Sequence, residues 1–464
     1  MPNLDYVEPR IEIIEDDTGK APVKMVSSDV IGVVGTFEKG ALNEKKYITS
    51  LESLIKTFGR NKKGLTGCKS ILAAMAQGAK NFIVVRVAGA TVKEATVVLK
   101  DSTGKDSVKV SAISPGTWGN DVQIAIANGT LADTFKLLVF FEGKSESFDN
   151  LTLDNFNTIE SAYVGLEKCD NATVIPKNCN VIPLSFGDDG VATTDSDYLG
   201  NVIGGKRTGL KLMETERVNM MLCAQQHSET IRNALITHCL NMSVRDGLRI
   251  ACLNPSPKLE VEKICELTKK YDTMRGLLGY PWNELVDIPG EYIAPDGFYA
   301  GILATISSAE SPSNKIIKGI LSQQIELTSG EIKNLTKNRI CPIALDSGFR
   351  VMNGVNLASD SRWSQISIRR AFDEIESEIY ESTRWVKSKN ITTTLMQAVA
   401  EQIDAILKLK KDSEKIYDYK PTICDETNNT PESMEARILR TKVRIRPTYA
   451  ADYIDHHIER YAGE

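Results

Sequence analysis

The run Val30-Ile31-Gly32-Val33-Val34-Gly35 lies between polar residues, as a strand buried inside a sheet does. Ser50 stands where an N-cap belongs, ahead of Leu51, Leu54, Ile55 and Phe58 at helical spacing, and Gly59 supplies the stop. A second helix is predicted from about Lys69, through Ile71, Leu72 and Met75, to the break at Gly78. Phe82-Ile83-Val84-Val85-Arg86-Val87 then reads as a strand covered on both faces. Strand, helix, helix and buried strand in succession predict an α/β layer.

From about residue 91 to 186 the pattern changes to short alternating strands and turns, with Val97-Val98-Leu99, Val108-Lys109-Val110, Val122 to Ile126 and Phe135 to Phe140 as the clearest. This predicts an inserted β-rich, sandwich-like domain. Helical periodicity returns after Tyr198, with strands at Val218 to Leu222 and Leu248 to Leu253 around a helix near 228–244. Two amphipathic helices dominate the last third: Ile368, Ala371, Phe372, Ile375 and Ile379 share one face of the first, and Leu395, Met396, Val399, Ile403, Ile406 and Leu407 share one of the second. The stretch Arg437 to Arg446 alternates as a half-exposed basic strand would.

Both ends read as arms. Tyr6, Val7, Ile11 and Ile13 alternate in part with acidic residues before the turn formers Asp16-Asp17-Thr18-Gly19, and Tyr453, Ile454 and Ile458 lie in a second strand-like segment. Neither has a local hairpin partner, and a lone strand needs a sheet edge on its own chain or another. The expected organisation is a multidomain α/β chain, α+β overall. Its segments are an N-terminal arm (1–25), the first part of an α/β core (26–90), an inserted β domain (91–186), the second part of the α/β domain (187–345), and a C-terminal domain (346–464) with its own arm from about 447.

Composition narrows the function. With 464 residues, 42% hydrophobic and 25% charged, most of the chain should fold. A net charge of -5 argues against a general nucleic-acid or membrane-surface role, since those surfaces select clustered positive charge. The acidic N-terminus lacks the pattern of a secretory signal, and no apolar run approaches the roughly 18 residues of a transmembrane helix. Nine cysteines are scattered without a C-x-x-C pair, so reduced, buried thiols are expected, with intermolecular pairing in an oxidising medium left open.

Candidate chemistry is sparse. Gly32-x-x-Gly35 after a strand is reminiscent of a phosphate loop, but no G-K-[ST] or G-x-G-x-x-G accompanies it, and a tight strand exit is the plainer reading. Asp188-Asp189-Gly190 reads as a turn, and His456-His457 with Glu459 as surface residues of the arm rather than a metal site. No serine sits in a G-x-S-x-G elbow. Trp118 and Trp385 read as core anchors, and Asp425 with Asn428-Asn429-Thr430 as a loop-shaping cluster. No catalytic, cofactor or metal residues are expected.

Several segments, in order along nearly the whole chain, resemble the phage tail sheath family. They are Ile31 to Gly35 with Ile48-Thr49-Ser50 and Phe58-Gly59; Pro115-Gly116-Thr117-Trp118-Gly119-Asn120, similar to a Pro-Gly-x-Trp-Gly-Asn turn; Phe148-Asp149-Asn150-Leu151; and Leu184 to Gly190. Further on come Ala294-Pro295-Asp296-Gly297 to Gly301, Asn353 to Leu357, Arg369-Arg370, Trp385, and Cys424 to Thr430, the most specific of the set. The family's Trp-Gly-Ala-Arg is replaced by Met352-Asn353-Gly354-Val355, its F-E-P-N by Lys387-Ser388-Lys389-Asn390, and one proline of its Pro-Pro by Ala294. These departures bear on the subfamily.

The resemblance implies a structural, non-enzymatic subunit that needs no cofactor. It implies hexameric rings stacked around a tail tube, with contraction driving the tube through a cell envelope. Implied partners are other copies of the chain, the tube protein, baseplate and terminator proteins, without nucleic acid or membrane insertion. The implied location is the tail of a virion or released injection particle assembled in bacterial cytoplasm. The terminal arms would add strands to neighbouring subunits. Lys408, Lys410, Lys411 and Lys415, at a helix end where positive charge complements the macrodipole, are candidates for facing the tube, against the alternative of a solvated helix end. The competing functions are an α/β enzyme acting on a nucleotide or sugar, and a non-contractile tail or tube protein.

Overall fold

The first apolar run forms the strand Ile31–Gly35, buried at all five positions, in parallel register with Phe82–Arg86 on one side and Met220–Cys223 on the other. The computed structural model describes residues 25–460 and extends this sheet to eight strands. Their order is Lys45–Ile48, Phe82–Arg86, Ile31–Gly35, Met220–Cys223, Ile250–Leu253, Gly276–Tyr280, Cys341–Leu345 and Phe349–Val351. The six inner strands are parallel, and the first and last pair antiparallel with their neighbours.

Alternation along these strands divides the apolar side chains between two cores. Ile31, Val33, Met220, Leu222, Ile250 and Cys252 join the helices Gly67–Gln77 and Asp296–Thr305 in one. Val34, Met221, Cys223, Ala251 and Leu253 join the helices Glu229–Asn241 and Val261–Thr268 in the other. A period of two in a sheet covered on both faces produces this division.

Helix signals hold at residue level. The Ser50 side chain accepts from the Ser53 amide ahead of Leu51–Phe58, and Gly59 takes a φ of 81° after it. The second helix starts two residues before its predicted origin, at Gly67, because that glycine packs against the first strand: a Cβ on Gly35 would lie 2.7 Å from the Gly67 Cα. The helical pattern expected after Tyr198 shrinks to Asp195–Leu199 and a 3-10 segment, Gly209–Thr215. Between them Gly200, Gly204, Gly205 and Gly209 all have positive φ, which interrupts a regular helix.

Between Phe82–Arg86 and Met220–Cys223 the chain builds two antiparallel sheets, one of Thr96–Lys100, Asp106–Ala112 and Val164–Lys168, the other of Cys179–Pro183, Gln123–Asn128, Phe135–Phe141 and Lys144–Leu151. Val108 and Val110 from the first meet Ile124, Leu137 and Val139 from the second around Trp118, which is 1% exposed and donates from Nε1 to the Ser114 carbonyl at 3.1 Å. Buried Arg86 fastens this sandwich to the sheet by donating to the carbonyls of Phe37, Gly40 and Pro115. These parts form one compact unit, residues 27–373 with the segment from Tyr449; a second is built on residues 374–448.

Candidate assembly interface

The second unit is a helix pair under a β-hairpin. Helix Ile366–Ser382 enters it at Glu374, and helix Thr393–Asp412 begins where the Thr392 hydroxyl accepts from the Leu395 amide. Ile375, Met396, Val399, Ile403 and Leu407 pack with Ile416 and Cys424. Strands Ile416–Ile423 and Lys442–Pro447 pair antiparallel and form a sheet of two among the described residues.

Of the basic run, only Lys442–Pro447 is strand. Val443 and Ile445 turn toward the core while Lys442, Arg444 and Arg446 are exposed. Lys420 lies opposite Arg444, and the Arg446 guanidinium sits 4.2 Å from the Tyr417 ring centroid. One face of the hairpin therefore carries Lys420, Lys442, Arg444 and Arg446, with Asp418 opposite Arg446 as an acid among them.

The loop entering the hairpin's second strand is fixed by the Asn-Asn pair. Fully buried Asn429 donates to the carbonyls of Asp425 and Arg440 and accepts from the Arg440 amide at 2.6 Å. Asn428 donates to the carbonyls of Ile423 and Arg440. Trp385 is half-buried, and its Nε1 donates to Gln402 at 2.6 Å.

The four lysines have separate fates. Lys410, 4% exposed, places its ammonium 2.5 Å from Glu374 and 2.7 Å from Glu378. Lys415 joins it at Glu374, 2.6 Å away, and exposed Lys411 pairs with Asp418 at 2.7 Å. Lys408 is exposed. Burial raises the Glu378 carboxyl above the ordinary carboxylate range, with Lys410 pulling against it. The expected basic patch is thus split: Lys410 is an internal counterion because it follows Ile403 and Leu407 on the buried face at helical spacing.

Tyr6, Val7, Ile11 and Ile13 lie outside the described residues. Tyr453, Ile454 and Ile458 are 83%, 70% and 92% exposed, in a segment without regular structure. Gln365 holds its start through the Ala450 amide and Asp452.

Residues 358–459 match the phage tail sheath C-terminal domain family, a span containing the hairpin and its asparagine loop. A Pseudomonas aeruginosa (strain UCBPP-PA14) protein described as a prophage major tail sheath protein is 26% identical over 264 residues, 52% of this chain and 67% of that one. Residues 358–459 thus carry a phage tail sheath C-terminal domain. The sheath tail protein of Listeria innocua superposes with a TM-score of 0.67 at 16% identity, over 88% of this chain and 89% of that one. The sheath complex of an extracellular contractile injection system in its contracted state gives 0.59 at 14%, over 97% of both chains. At such identities the solved structures establish a shared fold. These relatives are described as sheath proteins, and the family match and the shared fold both point to a structural sheath role.

The chain's own side chains fill the crevice where an open α/β sheet takes ligands, at the carboxyl ends of its parallel strands. The Gly67 amide donates to the Thr36 carbonyl, and the hydroxyls of Thr36, Thr66 and Tyr198 form a chain at 3.1 and 2.9 Å. Beside them Asp296, 1% exposed, accepts from Ser70, the Gln225 amide, Asn254 and the Gly297 amide at 2.6–2.9 Å. Burial raises its carboxyl while these bonds pull it down. Gly32 and Gly35 serve packing, since a Cβ on Gly32 would lie 2.7 Å from the Met221 sulfur.

The remaining candidates are structural. Asp189 accepts from the amide and hydroxyl of Thr117, and Asp188 from the Gly190 amide, which makes this segment a turn. Burial pushes the thiols of Cys68, Cys239 and Cys341 up to about 12, so they stay protonated. Among the described residues no cluster of three His, Cys, Asp or Glu could hold a metal, and no helix is long and apolar enough to cross a membrane. His456 and His457 are exposed in the terminal segment.

Proposed function

We propose that the subunit stacks as hexameric rings around a tail tube, tethered by strand exchange between copies, and contracts to drive the tube through a cell envelope. The observation that carries this reading is the hairpin Ile416–Ile423 and Lys442–Pro447, a sheet of two strands among the described residues whose outer edges offer unpaired backbone groups to a further strand. Strands from adjacent copies would complete it. The suppliers are Tyr6 to Ile13 at one terminus and the segment holding Tyr453, Ile454 and Ile458 at the other. Glu8, Glu12 and Glu15 of the first complement Lys442, Arg444 and Arg446 on the hairpin.

Such tethers keep copies joined while their bodies slide to a second packing, and a bistable difference of roughly a few kcal/mol per subunit, summed over a sheath, needs no nucleotide. Likeness to a sheath solved in its contracted state supports contraction. Lys408, Lys411 and Lys415 remain candidates for the tube surface. Baseplate and terminator proteins bound the two ends, in a phage tail or released particle assembled in bacterial cytoplasm. Deleting residues 1–20 should leave a soluble, folded monomer by circular dichroism and abolish tubules in electron micrographs. Tubules of normal length from that truncation would overturn the tethering role.

A further inference from the structure

Lys39 lies just past the first strand, where the sheet meets the inserted sandwich, and is 7% exposed. Its ammonium is 5.1 Å from the ring centroid of Phe141, 5.5 Å from Tyr163 and 5.6 Å from Trp118. Aromatic faces attract a cation, yet an ammonium carries three hydrogen-bond donors. Among the described residues no acceptor lies within hydrogen-bond distance of this one. The nearby buried acid is engaged elsewhere: Glu38 pairs with Lys62 at 2.6 Å and accepts from the Arg60 amide at 2.8 Å. Glu146 accepts from the Ser161 hydroxyl and the Ala162 amide. Lys39 instead lines a groove of about 630 Å³ between helix Leu51–Phe58 and the sandwich; its walls carry Leu51, Ile55, Phe141, Ala162 and Tyr163, and the charges Glu52, Glu142 and Glu146 against Lys56 and Lys144, with Glu142 close enough to act on the Lys39 ammonium through space. Burial lowers the Lys39 pKa, so an arriving anion would offset a real desolvation cost.

We propose that this groove is a carboxylate-binding site, anchored by the Lys39 ammonium, with the aromatic and aliphatic walls covering a short apolar stem. Two carriers have that chemistry: a free short-chain carboxylic acid, and an acidic side chain of an adjacent copy. The site stands without the polymer reading, and only the second carrier rests on it.

Thermal unfolding of the full-length subunit in sodium butyrate, against sodium chloride at equal ionic strength, tests the site. At a tenfold excess over Kd the wild-type Tm should rise by about 2 °C, and Lys39→Met should respond equally to both salts. Ile55→Trp fills the groove while keeping Lys39, so the test survives if Lys39→Met does not fold. Equal response of wild type and both variants overturns the proposal, as does a butyrate effect gained only in Glu142→Gln, which would make Glu142 the acceptor. Butyrate-sensitive tubule growth that Lys39→Met slows identifies the adjacent copy as carrier; growth indifferent to both, with the thermal effect intact, identifies the free acid.

Discussion

Replacing Lys410 by Met keeps most of the stem volume and removes the charge. Lys410, Glu374 and Glu378 are 4%, 7% and 1% exposed, and breaking a buried ion pair from one side costs about 3–5 kcal/mol because the opposite charge stays desolvated. Lys415 still reaches Glu374 at 2.6 Å, so Glu378 bears most of the loss and the lower end, about 3 kcal/mol, is expected at pH 7.5. The pH dependence has a definite sign. A carboxyl raised in the folded state holds a proton that the unfolded chain has released, so its penalty is present above the unfolded carboxylate value and fades as pH falls toward it. Losing Lys410 raises Glu378 further, and the deficit should shrink between pH 7.5 and pH 5. Urea unfolding read by hydrogen exchange in helix Thr393–Asp412 measures this locally. Adding Glu378→Gln should restore more than half of the loss. A deficit under about 1 kcal/mol, or one unchanged at pH 5, would refute a buried charged cluster.

His238 is neutral in the fold, with Nε2 3.1 Å from the guanidinium of fully buried Arg249, and burial and then that charge lower its pKa to about 3. As pH falls below about 6.5 the unfolded chain gains the proton first, costing up to about 1.4 kcal/mol per pH unit until about pH 3; His238→Gln should flatten that acid slope, and parallel acid-denaturation curves would count against it. Lys408→Glu with Lys411→Glu should leave the circular dichroism spectrum unchanged and halt tube-templated sheath growth, whereas normal growth in electron micrographs would clear this helix end of tube contact.

Local chemistry was legible in the sequence where it depends on neighbours a few residues apart. The Ser50 cap, the stops at Gly59 and Gly78 and the alternation of Lys442 to Arg446 are of that kind. Lys410 is legible too, since its spacing from Ile403 and Leu407 places it on the apolar stripe, where phase outweighs charge. The Lys39 cage could not, because Trp118, Phe141 and Tyr163 reach it from three places in a sandwich whose register a sequence leaves open.

The filled crevice explains why the chain carries only fragments of ligand-binding motifs. In ligand-binding sheets of this kind, the loops past the strand ends stay apart and the ligand joins them. Here Gln225 follows Met220–Cys223, Asn254 follows Ile250–Leu253, and both bond Asp296 at the start of its helix, while Ser70 reaches the same carboxylate from helix Gly67–Gln77. The chain supplies its own carboxyl group at the point where a substrate would supply an anion, and three segments close around it. A sheet cross-linked at its strand ends in this way resists deformation, and if copies slide against one another as proposed above, that stiffness serves the subunit more than an open loop end would.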